Sequence, residues 1–252
     1  MISIIIPVYN QAQKIIKTLE SIVRQTYTDY EVIIVNDSST DGVEAVFAAY
    51  YKKLAADSTG SANSGDKAAA SNNGAANNYL FINQSHRGAP AARNRGYRES
   101  HGEFLFFCDA DATLKPEALE MMVNALNDNP NASYAYSSFY WGRKLFKLGE
   151  FNLDKLKAGP YIHTMSLIRR SDFPAGGWDE NIKKLQDWDL WLTMLEQGKI
   201  GLWLPAALFT VSPGGTISSW LPKAAYKLLP FLPAVKKYAA ALKVIKIKHG
   251  LS

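Results

Sequence analysis

EVIIVNDSSTDG, residues 31–42, changes character at its midpoint. Glu31–Val35 is an apolar, β-branched run, and Asn36-Asp37-Ser38-Ser39-Thr40-Asp41-Gly42 consists of turn and helix-capping types. An apolar run this short, closed by turn residues, reads as a buried strand. The polar half predicts a turn into a helix that ends at about Leu54. Upstream, Ile2–Ile6 is a second apolar run bounded by Pro7, and Asn10 stands where it can cap a helix. Ile15, Ile16, Leu19, Ile22 and Val23 in that helix follow helical spacing. Strand, helix, strand, helix implies a parallel sheet with right-handed crossovers.

Downstream the alternation is interrupted and then resumes. In residues 55–78, 20 of 24 positions are Ala, Ser, Asn or Gly, too little apolar surface to offset ordering entropy. This stretch is expected to be a flexible low-complexity insertion. A strand follows at Tyr79–Ile82, a helix from about Pro90 to Ser100, a strand over Glu103–Cys108, and a helix opened by Pro116 that reaches Asn127. The second half is less regular: strands are predicted over 132–139, 161–168, 201–204 and 207–211, and a helix over 187–197. The expected class is α/β, with one domain over 1–216 and a basic, partly helical tail over 217–252.

Composition narrows the function. A single cysteine, Cys108, excludes an internal disulfide and fits a reducing compartment. Without a signal-peptide pattern or an apolar run of bilayer length, the expected location is cytoplasmic. Through Glu196 there are 20 basic against 23 acidic residues, a net −3; beyond it lie eight lysines and no Asp or Glu. A slightly acidic body argues against a nucleic-acid partner. In the tail, Val235, Tyr238, Leu242 and Ile245 share one helical face with most lysines off it, which predicts peripheral contact with an anionic membrane.

Three polar clusters close predicted strands: Pro7-Val8-Tyr9-Asn10, Asn36-Asp37 and Asp109-Ala110-Asp111. In an open α/β sheet, ligands bind outside the carboxyl ends of the strands. Two carboxylates just past a buried strand repel each other, and a hard divalent cation, Mn²⁺ or Mg²⁺, offsets that repulsion while bringing a diphosphate with it. No Walker-type loop or GxGxxG is present, so neither an ATPase nor a dinucleotide enzyme is indicated.

In this order, PVYN, VNDSSTDG, GAPAARNRG, CDAD and QDWDLWL resemble the family 2 glycosyltransferases of the GT-A fold, over about residues 1–216. The resemblance implies a mostly parallel nucleotide-binding sheet with helices on both faces and a less regular acceptor-binding half. It implies an inverting transfer from a nucleoside-diphosphate sugar, UDP-linked, to an acceptor hydroxyl on a saccharide or lipid-linked molecule in cell-envelope polysaccharide or glycolipid synthesis. By the same resemblance Asp111 holds the metal and Asp109 faces the ribose or the metal's surroundings. Asp37 contacts the base, Pro7 and Tyr9 line the nucleoside pocket, and Arg93 meets base or phosphate. Asp187 becomes the catalytic base, its charged form favoured by a helix start. Trp188 and Trp191 are expected in the core. Gln186 departs from the family's acidic residue before the base, and Ser212 from a histidine that can assist metal or diphosphate. Two other readings stay open: a nucleotidyltransferase on a related sheet, for which PVYN supplies no basic phosphate loop, and a non-catalytic sugar-nucleotide binder.

Overall fold

A computed structural model describes residues 1–60, 78–214 and 231–251. Four strands, β1 (Ile2–Val8), β2 (Tyr30–Asn36), β3 (Tyr79–Asn83) and β4 (Phe104–Phe107), form a wholly parallel half-sheet in the order β3-β2-β1-β4. Their side chains alternate between two cores, as strand geometry requires. Ile2, Ile4, Ile6, Val32, Ile34 and Phe106 enter one core; Ile5, Ile33, Val35, Leu105 and Phe107 enter the other. Both faces are therefore covered by helices, which is why these strands read as continuous apolar runs.

The first core is roofed by α1 (Ala12–Val23), α2 (Val43–Gly60) and α4 (Ala118–Asp128). The second lies under α3 (Ala89–Arg98), α5 (Leu153–Ala158), α6 (Gln186–Glu196) and α7 (Pro233–Lys248). Gly96 lets α3 lie directly on β1, because a Cβ there would collide with Ile5. The low-complexity stretch is helical as far as Gly60 rather than leaving the helix at Leu54; residues 61–77 of the expected insertion lie outside the described residues.

Beyond β4 the sheet becomes mixed. β5 (Ala112–Leu114), β6 (Tyr134–Trp141), β7 (Lys144–Phe146), β8 (Leu167–Arg169) and β9 (Gly201–Val211) extend the order as β4-β8-β6-β9-β5, with β7 on β6. Of these contacts only β6 with β9 is parallel. The two strands expected around Pro205 are one, with the pairing register shifting opposite Ser137–Phe139. The expected strand over 161–168 contracts to β8. His163 and Ser166 engage the local backbone instead, Met165 N–H donating to His163 Nδ1 and Ser166 Oγ to His163 O, which competes with a ladder.

The expected apolar face of the tail exists, and the body occupies it. Val235 and Ile245 are buried, and Leu242 packs on the second core. Among the described residues no helix is long and apolar enough to cross a membrane.

Candidate active site

The register of β1, β2 and β4 brings the three polar clusters to one edge of the sheet: Val8 pairs with Asn36, and Ile5 with Phe107. The loops there are cross-braced. Asn10, with φ 51°, does not cap α1; its Oδ1 accepts from Thr40 N–H at 2.8 Å, while Ala12 N–H at the helix start donates to Asp41 Oδ2 at 2.7 Å. The β2–α2 loop thus caps the helix that follows β1. Ser38 and Leu185 also have positive φ, at 64° and 59°. Leu185 is the residue immediately before α6, so unusual backbone clusters where the edge meets that helix.

Asp37 organises the next loop. Its side chain is 3% exposed, and its oxygens accept from Gln84 Nε2, Arg87 N–H and Gly88 N–H, each at 2.8 Å, with His86 Nδ1 at 2.9 Å. Gly88 has φ 91°, a conformation that glycine adopts without strain, and it opens α3. A base can meet Asp37 directly only by replacing one of these donors; as the chain stands, Asp37 positions residues 84–88. Tyr9 stacks on His86 with ring centroids 4.4 Å apart.

A cavity of about 600 Å³ opens at this edge, lined among others by Tyr9, Asp37, Arg93, Asp109, His163 and Asp187. Arg93, nearly buried on α3, donates to Gln186 Oε1 at 3.1 Å and reaches Asp109 Oδ1 at 3.4 Å, with its guanidinium over the Trp178 ring. Its Nε is buried with no hydrogen-bond partner among the described residues. Gln186, the departure from the family's acidic residue, is therefore a fixed contact of this arginine.

Asp187 opens helix α6, which two tryptophans fix in the core. Trp188 Nε1 donates to Leu156 O at 2.6 Å, Trp191 Nε1 to Ile162 O at 3.1 Å, and Trp191 stacks on Tyr134 at 4.4 Å. Burial pushes the Asp187 carboxyl above the ordinary aspartate range; His163, Arg93 and the Trp188 N–H oppose this without reversing it. Desolvation thus outweighs the helix-start effect expected to weaken the base. Asp189, two residues on, points elsewhere: it is buried and paired with Lys248 at the end of α7 at 2.8 Å and with His249 just beyond it at 2.9 Å.

Asp109 and Asp111 follow β4 in a turn closed by Ala112 N–H to Asp109 O at 3.2 Å and held by Thr18 Oγ1 to Ala110 O at 2.9 Å. The carboxyl of Asp111 is held up by burial and then by Asp109, against the weaker pull of Lys14, whose Nζ stands 3.7 Å away. Among the described residues no group of three or more His, Cys, Asp or Glu side chains is placed to hold a metal ion. Two oxygen donors with one distant cation fit a hard divalent ion that takes its other ligands from phosphate or water. Asp111 and Pro7 lie outside the cavity lining drawn from the described residues, Pro7 remaining in β1 opposite Val35. Ser212 does sit beside Asp111, its N–H donating to Asp111 O at 2.9 Å.

His163 lines the cavity without a signal in the sequence, since the apolar pattern over 161–168 predicts a strand there. Its Nδ1 accepts from Met165 N–H, so Nε2 carries the proton, 3.8 Å from Asp109 Oδ2. In this tautomer it is a donor and not a metal ligand. Burial keeps its pKa low despite Asp109 and Asp187.

The family model for Glycosyl transferase family 2 matches residues 3–176. A Haemophilus influenzae protein named uncharacterized glycosyltransferase is 26% identical over 209 residues, 78% of this chain and 63% of its own length. Escherichia coli chondroitin synthase is 24% identical over 209 residues, 79% of this chain and 27% of its own. The chain thus spans less than two thirds of these relatives. Among solved structures, S. aureus TarS 1-349 in complex with UDP has TM-score 0.65 at 19% identity, covering 84% of this chain and 60% of that one. The mannosyltransferase PcManGT from Pyrobaculum calidifontis, in complex with GDP-Man and Mn²⁺, has TM-score 0.66 at 17% identity, covering 96% of this chain and 74% of that one.

Proposed function

This chain belongs to glycosyl transferase family 2 and is a glycosyltransferase of the GT-A fold, and from that premise we propose that it moves a sugar with inversion from a UDP-linked donor to a saccharide or lipid-linked acceptor hydroxyl, with Asp187 as base. The observation that carries this reading is the convergence of Asp187, Arg93, Asp109 and His163 on one cavity at the strand-end edge. TarS, solved with UDP and with UDP-GlcNAc, supports the uridine donor, PcManGT, solved with GDP-Man, leaves guanosine as the competitor, and a relative named chondroitin synthase supports a saccharide acceptor.

In this reading the nucleoside lies against Tyr9 and the loop that Asp37 organises. One oxygen of Asp187, Oδ1, is taken by Trp188 N–H at 2.9 Å, which leaves Oδ2 to face the acceptor. As the acceptor oxygen bonds to the anomeric carbon, its proton passes to Asp187, and the bond to the diphosphate breaks with its electron pair leaving on phosphate. The Arg93 guanidinium and His163 Nε2–H, both at the cavity, are the donors this reading assigns to developing negative charge. Asp111, assisted by Asp109, would hold a Mn²⁺ or Mg²⁺ ion, which supplies charge stabilisation to the departing diphosphate when bound.

The test is a panel of UDP-, GDP- and dTDP-sugars incubated with the chain and Mn²⁺, with the released species identified. Slow release of UDP from a UDP-sugar is expected. Release of a nucleoside monophosphate together with sugar 1-phosphate would point to nucleotidyl transfer, and binding without turnover of any donor to a degenerate binder.

A further inference from the structure

Helix α7 turns a second face outward. Its inner face is committed: Val235, Leu242 and Ile245 pack on the body, and Lys248 and His249 are paired with Asp179, Asp189 and Glu196. On the outer side, steps of four and three residues line up Lys236, Ala240, Lys243 and Ile247, with Lys237 and Val244 alongside. Lys236, Lys237 and Lys243 are exposed. Ile247 at 69%, Phe231 at 64% and Val244 at 53% are the three most exposed large apolar side chains among the described residues.

A single exposed apolar residue needs no explanation, but three in one short segment, interleaved with lysines, do. The charge names the partner. No Asp or Glu follows Glu196 in the sequence, so the outer face of α7 carries no carboxylate of its own. A basic helix face with large apolar side chains is suited to the head-group boundary of an anionic bilayer, where lysines meet lipid phosphates and the apolar groups leave water. A nucleic-acid backbone would satisfy the lysines and leave Val244 and Ile247 wet. We propose that this outward face, and not the apolar face buried against the body, docks the protein on an anionic lipid surface. The Asp189 pairing keeps α7 on the catalytic helix, so docking requires no release of the tail.

Flotation of the full chain with vesicles of phosphatidylcholine alone, and of phosphatidylcholine mixed with phosphatidylglycerol, tests this. The parent is expected to float with the mixed vesicles, less so as salt is raised, and to stay behind with phosphatidylcholine alone. The triple variant Lys236→Ala, Lys237→Ala, Lys243→Ala should lower partitioning about a hundredfold, from about 1 kcal/mol per lysine. A Val244→Ser, Ile247→Ser variant should also partition less. Both should keep parental melting temperature and donor hydrolysis in solution, since these side chains lie outside the site. Equal recovery with both vesicle types, or undiminished binding by the triple variant, overturns the proposal. A parent that elutes as a dimer and becomes a monomer on Ile247→Ser also overturns it, since a second copy would then own the face. The donor panel reads the catalytic reading separately.

Discussion

Burial sets the chemistry of Asp187. A free aspartate titrates near 3.9, and desolvation lifts this one above that range against the opposing pull of His163 and Arg93. A base works only when ionised, so donor turnover should fall as pH drops through the raised value. The acid limb of a kcat profile is therefore expected above about 4, and a limb in the ordinary aspartate range would show that Asp187 stays solvated or is not the base. Most polar residues of this site were legible because they cluster at predicted strand ends, as Asp37, Asp109 and Tyr9 do. What single residues do there was less legible. Asp37 spends its oxygens on backbone and side-chain donors 47 to 51 residues away. His163 owes its place to local bonds with Met165 and Ser166 that periodicity does not register.

The clamp between α6 and α7 is an element-scale device. His249 has both ring nitrogens on carboxylates, Asp189 Oδ1 at 2.9 Å and Glu196 Oε1 at 2.7 Å. Burial alone would lower its pKa, but the two carboxylates together outweigh it and hold the imidazolium above its ordinary value. A group whose folded pKa is raised stabilises fully below its unfolded pKa, about 6.5 for histidine, and that contribution is lost as pH rises through the folded value. The melting temperature of the parent should thus fall from mildly acidic to mildly basic pH by more than that of His249→Gln; parallel curves would show that the imidazolium contributes nothing. The apolar face of α7 was legible from its spacing. Its docking partner was not, because Asp179 and Asp189 lie 69 and 59 residues from Lys248 in the chain. Strand β5 leaves no sequence signal for a different reason: three residues are too few for a period-two pattern, and its pairing with β9 is a long-range contact.

At the scale of the molecule, the parallel half of the sheet presents its strand ends to the cavity, and the mixed half brings Asp187 to the same place on a helix anchored by Trp188 and Trp191. On the proposed function the two halves would hold separable tasks, the diphosphate at Asp111 and the acceptor proton at Asp187. Calorimetric titration of UDP with Mn²⁺ into Asp111→Asn and Asp187→Asn, with donor turnover read on the same preparations, separates them. Asp187→Asn should bind UDP and Mn²⁺ as the parent does yet turn donor over about 10²- to 10⁴-fold more slowly, while Asp111→Asn should lose the Mn²⁺-dependent part of binding and turnover together. Near-parental turnover by Asp187→Asn, or unchanged Mn²⁺ dependence in Asp111→Asn, would contradict the account.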